Sequence, residues 1–272
     1  MEKWVVTAKK ADFQGIGRKY GIDPVIARII RNRDITGDEA IEEYLNGTLA
    51  DIPSWKLLKD IDKAVEIISG KIDAGTKMRI IGDYDIDGVT ATYILLKGFK
   101  RLGANVDTYI PDRVADGYGI HDHLIKKAME DGIDTIVTCD NGISASSQIT
   151  YAKELGMTVV VTDHHEVPFT DTEEGRTYIL PPADAIINPK QADCTYPNKN
   201  ICGAVVAMKL VFALYEKYRL PEEEKEDFLE PAAIATVGDI MDLQGENRIL
   251  VKEGLARLPF TKNKGLKALI RA

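Results

Sequence analysis

Five short runs rich in Val and Ile recur between residues 78 and 188, and stretches of helical character lie between most of them. The runs are 78–82 (MRIIG), 106–110 (VDTYI), 135–139 (TIVTC), 158–162 (TVVVT) and 185–188 (AIIN). Continuous apolar runs of this length suit strands covered on both faces. Helical segments fall at 89–102, 122–130 and 144–155; Gly103 and Gly156 stand where C-terminal caps belong, and Ser144 is a candidate N-cap. This alternation predicts an α/β fold: a doubly wound, mainly parallel five-stranded sheet, with right-handed crossovers placing helices on both faces.

The flanks read as helical extensions. Asp23 before Pro24, and Thr36 before Gly37, Asp38 and Glu39, mark helix starts. Past Gly203, residues 204–218 form an amphipathic segment, and Pro221 opens an acidic helix, EEEKEDFLE. The basic stretch 248–272 ends in LKALIRA with no stop signal, as expected of a piece of a longer protein. The expected organisation is a helical extension at 1–50, an α/β domain at 51–245 and the start of a connecting helix at 246–272.

Composition narrows the function. Three cysteines, Cys139, Cys194 and Cys202, cannot all pair and form no CxxC. That argues against a disulfide scaffold or a cysteine zinc site and for a reducing compartment. No apolar run reaches the roughly 18 residues of a membrane helix, and MEKWVVTAKKADF lacks a signal-peptide core. A cytoplasmic protein with no membrane partner is expected. The net charge of −8 excludes a uniformly basic nucleic-acid binder but leaves room for a local basic groove.

Carboxylates gather where the strands end. Asp83, Asp85 and Asp87 alternate directly after the first strand. In an open α/β sheet, ligands sit beyond the carboxyl ends of the strands. Three carboxylates packed there repel one another unless a cation offsets them, and an all-oxygen set favours Mg²⁺ or Mn²⁺. The competing reading is a polar turn with an aspartate cap. Asp140 follows the third strand in the same way. Asp163, His164 and His165 follow the fourth, bringing two of the chain's four histidines side by side. Imidazole is a usual nitrogen ligand, and a neighbouring carboxylate either orients the ring or binds metal itself. The other two, His121 and His123, flank Asp122 at a helix start, where solvated or capping roles suffice. Asp239 ends the apolar run AAIATVGDIM and completes a second metal site, with Asp242 the weaker choice. Two metals about 4 Å apart, bridged by one aspartate, activate water and clamp a phosphoryl group, which predicts phosphoester or phosphoanhydride hydrolysis.

The motifs GDYDIDGVTAT, IPDRVADGYGI, VTCDNGIS, VVVTDHHEVP, INPKQADCTYPNKNICGAVVAMKL and ATVGDIMDLQGENRILVKEGLARL resemble the RecJ branch of the DHH phosphoesterase superfamily, from about residue 50 onward. The resemblance implies a DHH catalytic domain with 5′→3′ exonuclease activity on single-stranded DNA, dependent on Mn²⁺ or Mg²⁺, in recombination and repair. It implies Asp83 and Asp85 at the first metal, and Asp87, His164 and Asp239 at the second. It makes Asp140 the bridge and sets His165 against the scissile phosphate. Relatives often carry histidine near the start of the first motif; Asp83 takes that place here. Arg113, Lys190 and the helix N-terminus at Gly203 become candidate phosphate contacts, with Tyr84 and Tyr118 able to stack on bases though better suited to packing against the sheet. Single-stranded DNA is the implied partner; a helicase and a single-strand-binding protein are further partners the residues leave open. RecJ proteins continue into a DHH-associated domain and usually an OB-fold that close the DNA channel. Neither fits within 272 residues, so weakened DNA binding and low processivity are expected. Two alternatives are a DHH phosphodiesterase acting on short oligonucleotides, cyclic dinucleotides or pyrophosphate, and a non-catalytic scaffold. Retention of Asp or His at every metal position argues against the scaffold.

Overall fold

The computed structural model describes residue 3, residues 9–172 and residues 175–272, which divide into two units, Met1–Asp51 and Ile52–Ala272. In the first unit α1 (Phe13–Tyr20), α2 (Pro24–Asn32) and α3 (Asp38–Asn46) close around Ile30, Ile35, Ile41 and Tyr44. Asp23 caps α2 through the N–H of Val25, and Pro24 takes the first helical position, where a missing N–H costs nothing.

The second unit is built on a parallel sheet. Its strands are β1 (Met78–Ile81), β2 (Val106–Tyr109), β3 (Thr135–Cys139), β4 (Thr158–Thr162) and, after a two-stranded excursion through β5 (Phe169–Thr172) and β6 (Gly175–Tyr178), β7 (Ala185–Ile187). The order is β2-β1-β3-β4-β7, all parallel, as the five apolar runs predict. Side chains alternate between faces. Ile81, Ile136, Val159, Val161 and Ile186 join one core with α6 (Asp122–Glu130) and α7 (Ser146–Glu154). Ile80, Val137, Val160 and Ile187 are fully buried on the other face, where α4 (Ile61–Asp73), α5 (Ile86–Arg101) and α8 (Gly203–Lys217) pack. Burying each such side chain contributes about 1.5–3 kcal/mol, so the central strands form a rigid base for whatever their ends carry.

Several boundaries differ from expectation for local reasons. Helix α5 starts at Ile86, three residues early, because the Asp85 side chain accepts from the N–H of Gly88 at 2.8 Å. Ser144 does not cap α7; the N-cap position is Ala145, with no side-chain bond. The acidic stretch after Pro221 forms a 3₁₀ segment, Glu222–Phe228, before α9 (Leu229–Gly238) begins. The final basic stretch is two helices, α10 (Gly245–Arg257) and α11 (Lys264–Arg271), parted by a turn at Leu258–Phe260 that contains Pro259. The β5–β6 hairpin was not expected; its strands are exposed and lack an apolar run. Among the described residues no helix is long and apolar enough to cross a membrane.

Candidate metal centre

The strand order reverses between β1 and β3, so the crossovers leave in opposite directions and a crevice opens at the carboxyl ends of those two strands. Asp83 leaves β1 and Asp140 leaves β3 at that crevice. Asp87 rises from the first turn of α5, His164 and His165 follow β4, and Asp239 arrives as the C-cap of α9. Ligand atoms of Asp83, Asp85 and Asp140 all lie within 4.8 Å of one another, and so do those of Asp87, His164 and Asp239, and of Asp140, His164 and His165. The Nε2 of His164 stands 3.1 Å from Oδ1 of Asp140, 3.6 Å from Asp87 and 3.7 Å from Asp239. Every residue that sequence reasoning assigned to the two metals is therefore drawn into one cluster.

The backbone is shaped to hold it. Asp140 adopts φ 59°, a left-handed conformation that costs a non-glycine residue energy and is concentrated at functional sites. Asp87 is anchored by a second helix: its oxygens accept the N–H groups of Gly203 at 2.6 Å and Ala204 at 2.8 Å. The expectation that this N-terminus binds a substrate phosphate through Gly203 is thereby corrected, because Asp87 already receives those donors. Gly203 has a second role that sequence reasoning missed: a Cβ there would lie 2.8 Å from both Cβ and Oδ1 of Asp140. The glycine opening ICGAVV was the available signal.

Electrostatically the cluster is unbalanced. Burial, reinforced by Asp87 and Asp163, pushes the Asp140 carboxyl up to about 11. Burial likewise raises Asp83, with the N–H groups of Tyr84 and Gly119 near enough to oppose the shift in part. Among the described residues neither Asp83 oxygen finds a hydrogen-bond partner, though both are buried, and the same holds for Nδ1 of His164. Asp239 is raised by burial and by Asp87. Burial lowers His164, so the uncharged ring able to ligate is favoured. Buried carboxylates without donors need a cation. Hard oxygen donors with a single facing imidazole suit Mn²⁺ or Mg²⁺.

Asp163 orients rather than joins the cluster. It accepts the N–H of Ile143 at 2.9 Å, that of His164 at 2.7 Å, and Nδ1 of His165 at 2.7 Å. Burial alone would raise it, but the His165 bond holds it below the usual carboxylate range and raises His165 in turn. Arg113 lies over the Tyr84 ring, 5.3 Å from its centroid, and pairs with no carboxylate among the described residues. Lys190 pairs with Glu166 at 2.9 Å, one residue beyond His165. Tyr118 does not pack against the sheet; half exposed, it places its hydroxyl 3.1 Å from Nε2 of His165. His121 makes no capping bond, and His123 pairs with Asp116 at 2.9 Å. Asp242 accepts from Gln244 and stands outside the cluster.

The sequence matches the DHH family, N-terminal domain, over residues 77–236, more than half of the chain and all of the cluster except Asp239. The chain belongs to the DHH family. Among DHH relatives, the single-stranded-DNA-specific exonuclease RecJ of Bacillus subtilis is 37% identical over 270 residues, 99% of this chain and 32% of the relative. RecJ of Escherichia coli is 34% identical over 92% of this chain and 43% of its own length. RecJ from Thermus thermophilus in complex with Mn²⁺ superposes with a TM-score of 0.74 at 31% identity, over 95% of this chain and 35% of that one. A manganese-bound exonuclease RecJ superposes at 0.69 with 35% identity, over 79% and 52%. The chain thus spans about a third to two-fifths of the length of the curated relatives it matches.

Proposed function

We propose that this chain is the catalytic core of a RecJ-type, metal-dependent 5′→3′ exonuclease that hydrolyses single-stranded DNA to 5′-mononucleotides in recombination and repair. The observation that carries the reading is the six-residue cluster Asp83, Asp85, Asp87, Asp140, His164 and Asp239 at the sheet's reversal point. Similarity to RecJ proteins along nearly the whole chain supports the substrate. Asp83, Asp85 and Asp140 would hold one Mn²⁺ or Mg²⁺, and Asp87, Asp140, His164 and Asp239 the other. When bound, such a pair supplies charge neutralisation for the phosphoryl group and acidifies an attacking water.

The chain's own residues do the rest. The α8 N-terminus clamps Asp87, and the strained turn at Asp140 aims the bridging carboxylate. Asp163 holds His165 so that its outer edge faces the phosphate and stabilises charge developing there. Arg113 and Lys190 are the candidate cations on the path of the backbone. A cytoplasmic setting belongs to this reading, with a helicase to supply the strand and a single-strand-binding protein to hold it.

Hydrolysis by the purified chain with Mn²⁺ tests the proposal, using end-labelled single-stranded DNA, a dinucleotide and pyrophosphate in parallel. Mononucleotides released from the 5′ end support it. Cleavage of the dinucleotide or pyrophosphate alone would move the assignment to a small-substrate phosphodiesterase. Undiminished hydrolysis by Asp140→Ala would overturn the two-metal site.

A further inference from the structure

His165 stands at the rim of the cluster, with a side chain 43% exposed. Its outer torsion is an intrinsically broad one, so a ring held from a single side would swing. It is held from two. Asp163 takes Nδ1 at 2.7 Å and is itself immobilised by the backbone N–H groups of Ile143 and His164. Over the face of the ring the Tyr118 hydroxyl lies 3.1 Å from Nε2 and 3.4 Å from Nδ1, and it donates to the carbonyl oxygen of Asp140 at 3.3 Å, which leaves the outer Nε2 edge open. The two rings also meet edge to face, with centroids 5.9 Å apart. Tyr118 reaches inward from a turn between Gly117 and Gly119, whose φ values of 81° and 84° favour glycine on each side of it.

We propose that Tyr118 is a positioning residue: its hydroxyl ties the His165 ring to the Asp140 backbone and so sets the imidazole in register with the bridging carboxylate beside it. The inference rests on the reading that His165 meets the scissile phosphate, and it assigns the hydroxyl a task distinct from any stacking by the ring. Asp140 and His165 leave different strands, so the sheet alone does not fix the exposed His165 ring against the turn at Asp140. The Tyr118 hydroxyl joins the His165 ring to the Asp140 main chain at one atom. Small errors in placing a group against a reacting phosphate are costly in rate while leaving substrate affinity intact.

Tyr118→Phe removes the hydroxyl and keeps the ring, and Tyr118→Leu removes both. Two measurements decide the matter: steady-state hydrolysis of single-stranded DNA, and the ring nitrogen resonances of ¹⁵N-histidine-labelled, Mg²⁺-loaded protein. The expectation for Tyr118→Phe is a kcat lower by about tenfold with KM and Mg²⁺ affinity unchanged. The Nε2 resonance of His165 should move while those of His164 stay in place. An unmoved Nε2 resonance overturns the proposal whatever the activity. So does a wild-type kcat in Tyr118→Phe. A KM change confined to Tyr118→Leu would make the ring a stacking platform instead. A wild-type protein that turns over no DNA counts against the nuclease reading and not against the contact, which the resonance then decides.

Discussion

The N–H of Gly203 donates to Asp87 at 2.6 Å, so a carboxylate from one helix sits on the N-terminus of another while a second cluster member, Asp140, passes within contact of the same glycine. Position 203 therefore has to supply a donor and leave room at once. Gly203→Ala keeps the donor and fills the room. Its Cβ would come 2.8 Å from Asp140 Oδ1. We expect a loss of about 1–3 kcal/mol from overpacking, together with weakened Mn²⁺ binding measured by calorimetry. Unchanged Mn²⁺ affinity in a variant that melts as the parent does would refute the account.

In the absence of a cation, burial beside like charges makes the Asp140 carboxylate oppose folding. Without cations its carboxyl is pushed up to about 11 from the ordinary 3.8, by burial first and then by Asp87. A folded value above the unfolded one makes stability greatest below the unfolded value and erodes it as pH rises toward the folded one. In EDTA, Asp140→Asn should melt higher than the parent, and the gap should widen from pH 5 to pH 8. Added Mn²⁺ should reverse the ranking by stabilising the parent alone. Hydrolysis by the variant should fall at least about a hundredfold. A parent that outlasts the variant in EDTA would show that the cluster is not held against charge repulsion.

How much of this was legible beforehand follows from the physics of each element. Strands β3 and β4 were readable to the residue because strands covered on both faces need unbroken apolar runs. Asp83, Asp140 and the histidine pair were readable because ligands gather where parallel strands end. Asp239 was readable because a carboxylate that ends an apolar helical run has to be paired, exposed or ligating, and the resemblance then set it at the second metal. The clamp on Asp87 was invisible: it is a backbone contact between residues 116 positions apart. The β5–β6 hairpin escaped because each strand has four exposed residues and no burial pattern to betray it. Ser144 failed as a cap because the chain turns first through Gly142, at φ 109°, and delays the helix to Ser146.

A second pH dependence lies away from the metals. Arg79 is buried in β1, in register with Asp107, and its guanidinium forks onto both Asp107 oxygens at 2.7 Å while reaching Asp131 at 3.0 Å. The Arg79 hydrogen bond holds Asp131 below its ordinary 3.8. A depressed folded value means that the stabilisation is present above the unfolded value and is lost as pH falls through the lower one. Thermal stability should thus decline below about pH 4. Asp131→Asn should be the less stable protein at neutral pH and show a shallower acid limb. Parallel limbs for the two proteins would mean that this carboxylate contributes nothing.

Charge sets the last expectation. Under the proposed function, a chain with a net charge of −8 and an acidic cluster would bind a strand through local cations. Arg113 is the clearest of these: its guanidinium lies over Tyr84, beside the cluster, with the ring as its cation–π partner. Each phosphate neutralised on a single strand contributes about −0.7 to the slope of log K against log salt. A fluorescent oligonucleotide titrated with metal-loaded protein at several salt concentrations should give weak, steeply salt-dependent binding. Arg113→Ala should flatten that slope by about 0.7 across unrelated sequences, because a phosphate contact reads no base. An unaltered slope would remove Arg113 from the strand's path, and tight binding indifferent to salt would remove phosphate contacts from the explanation altogether.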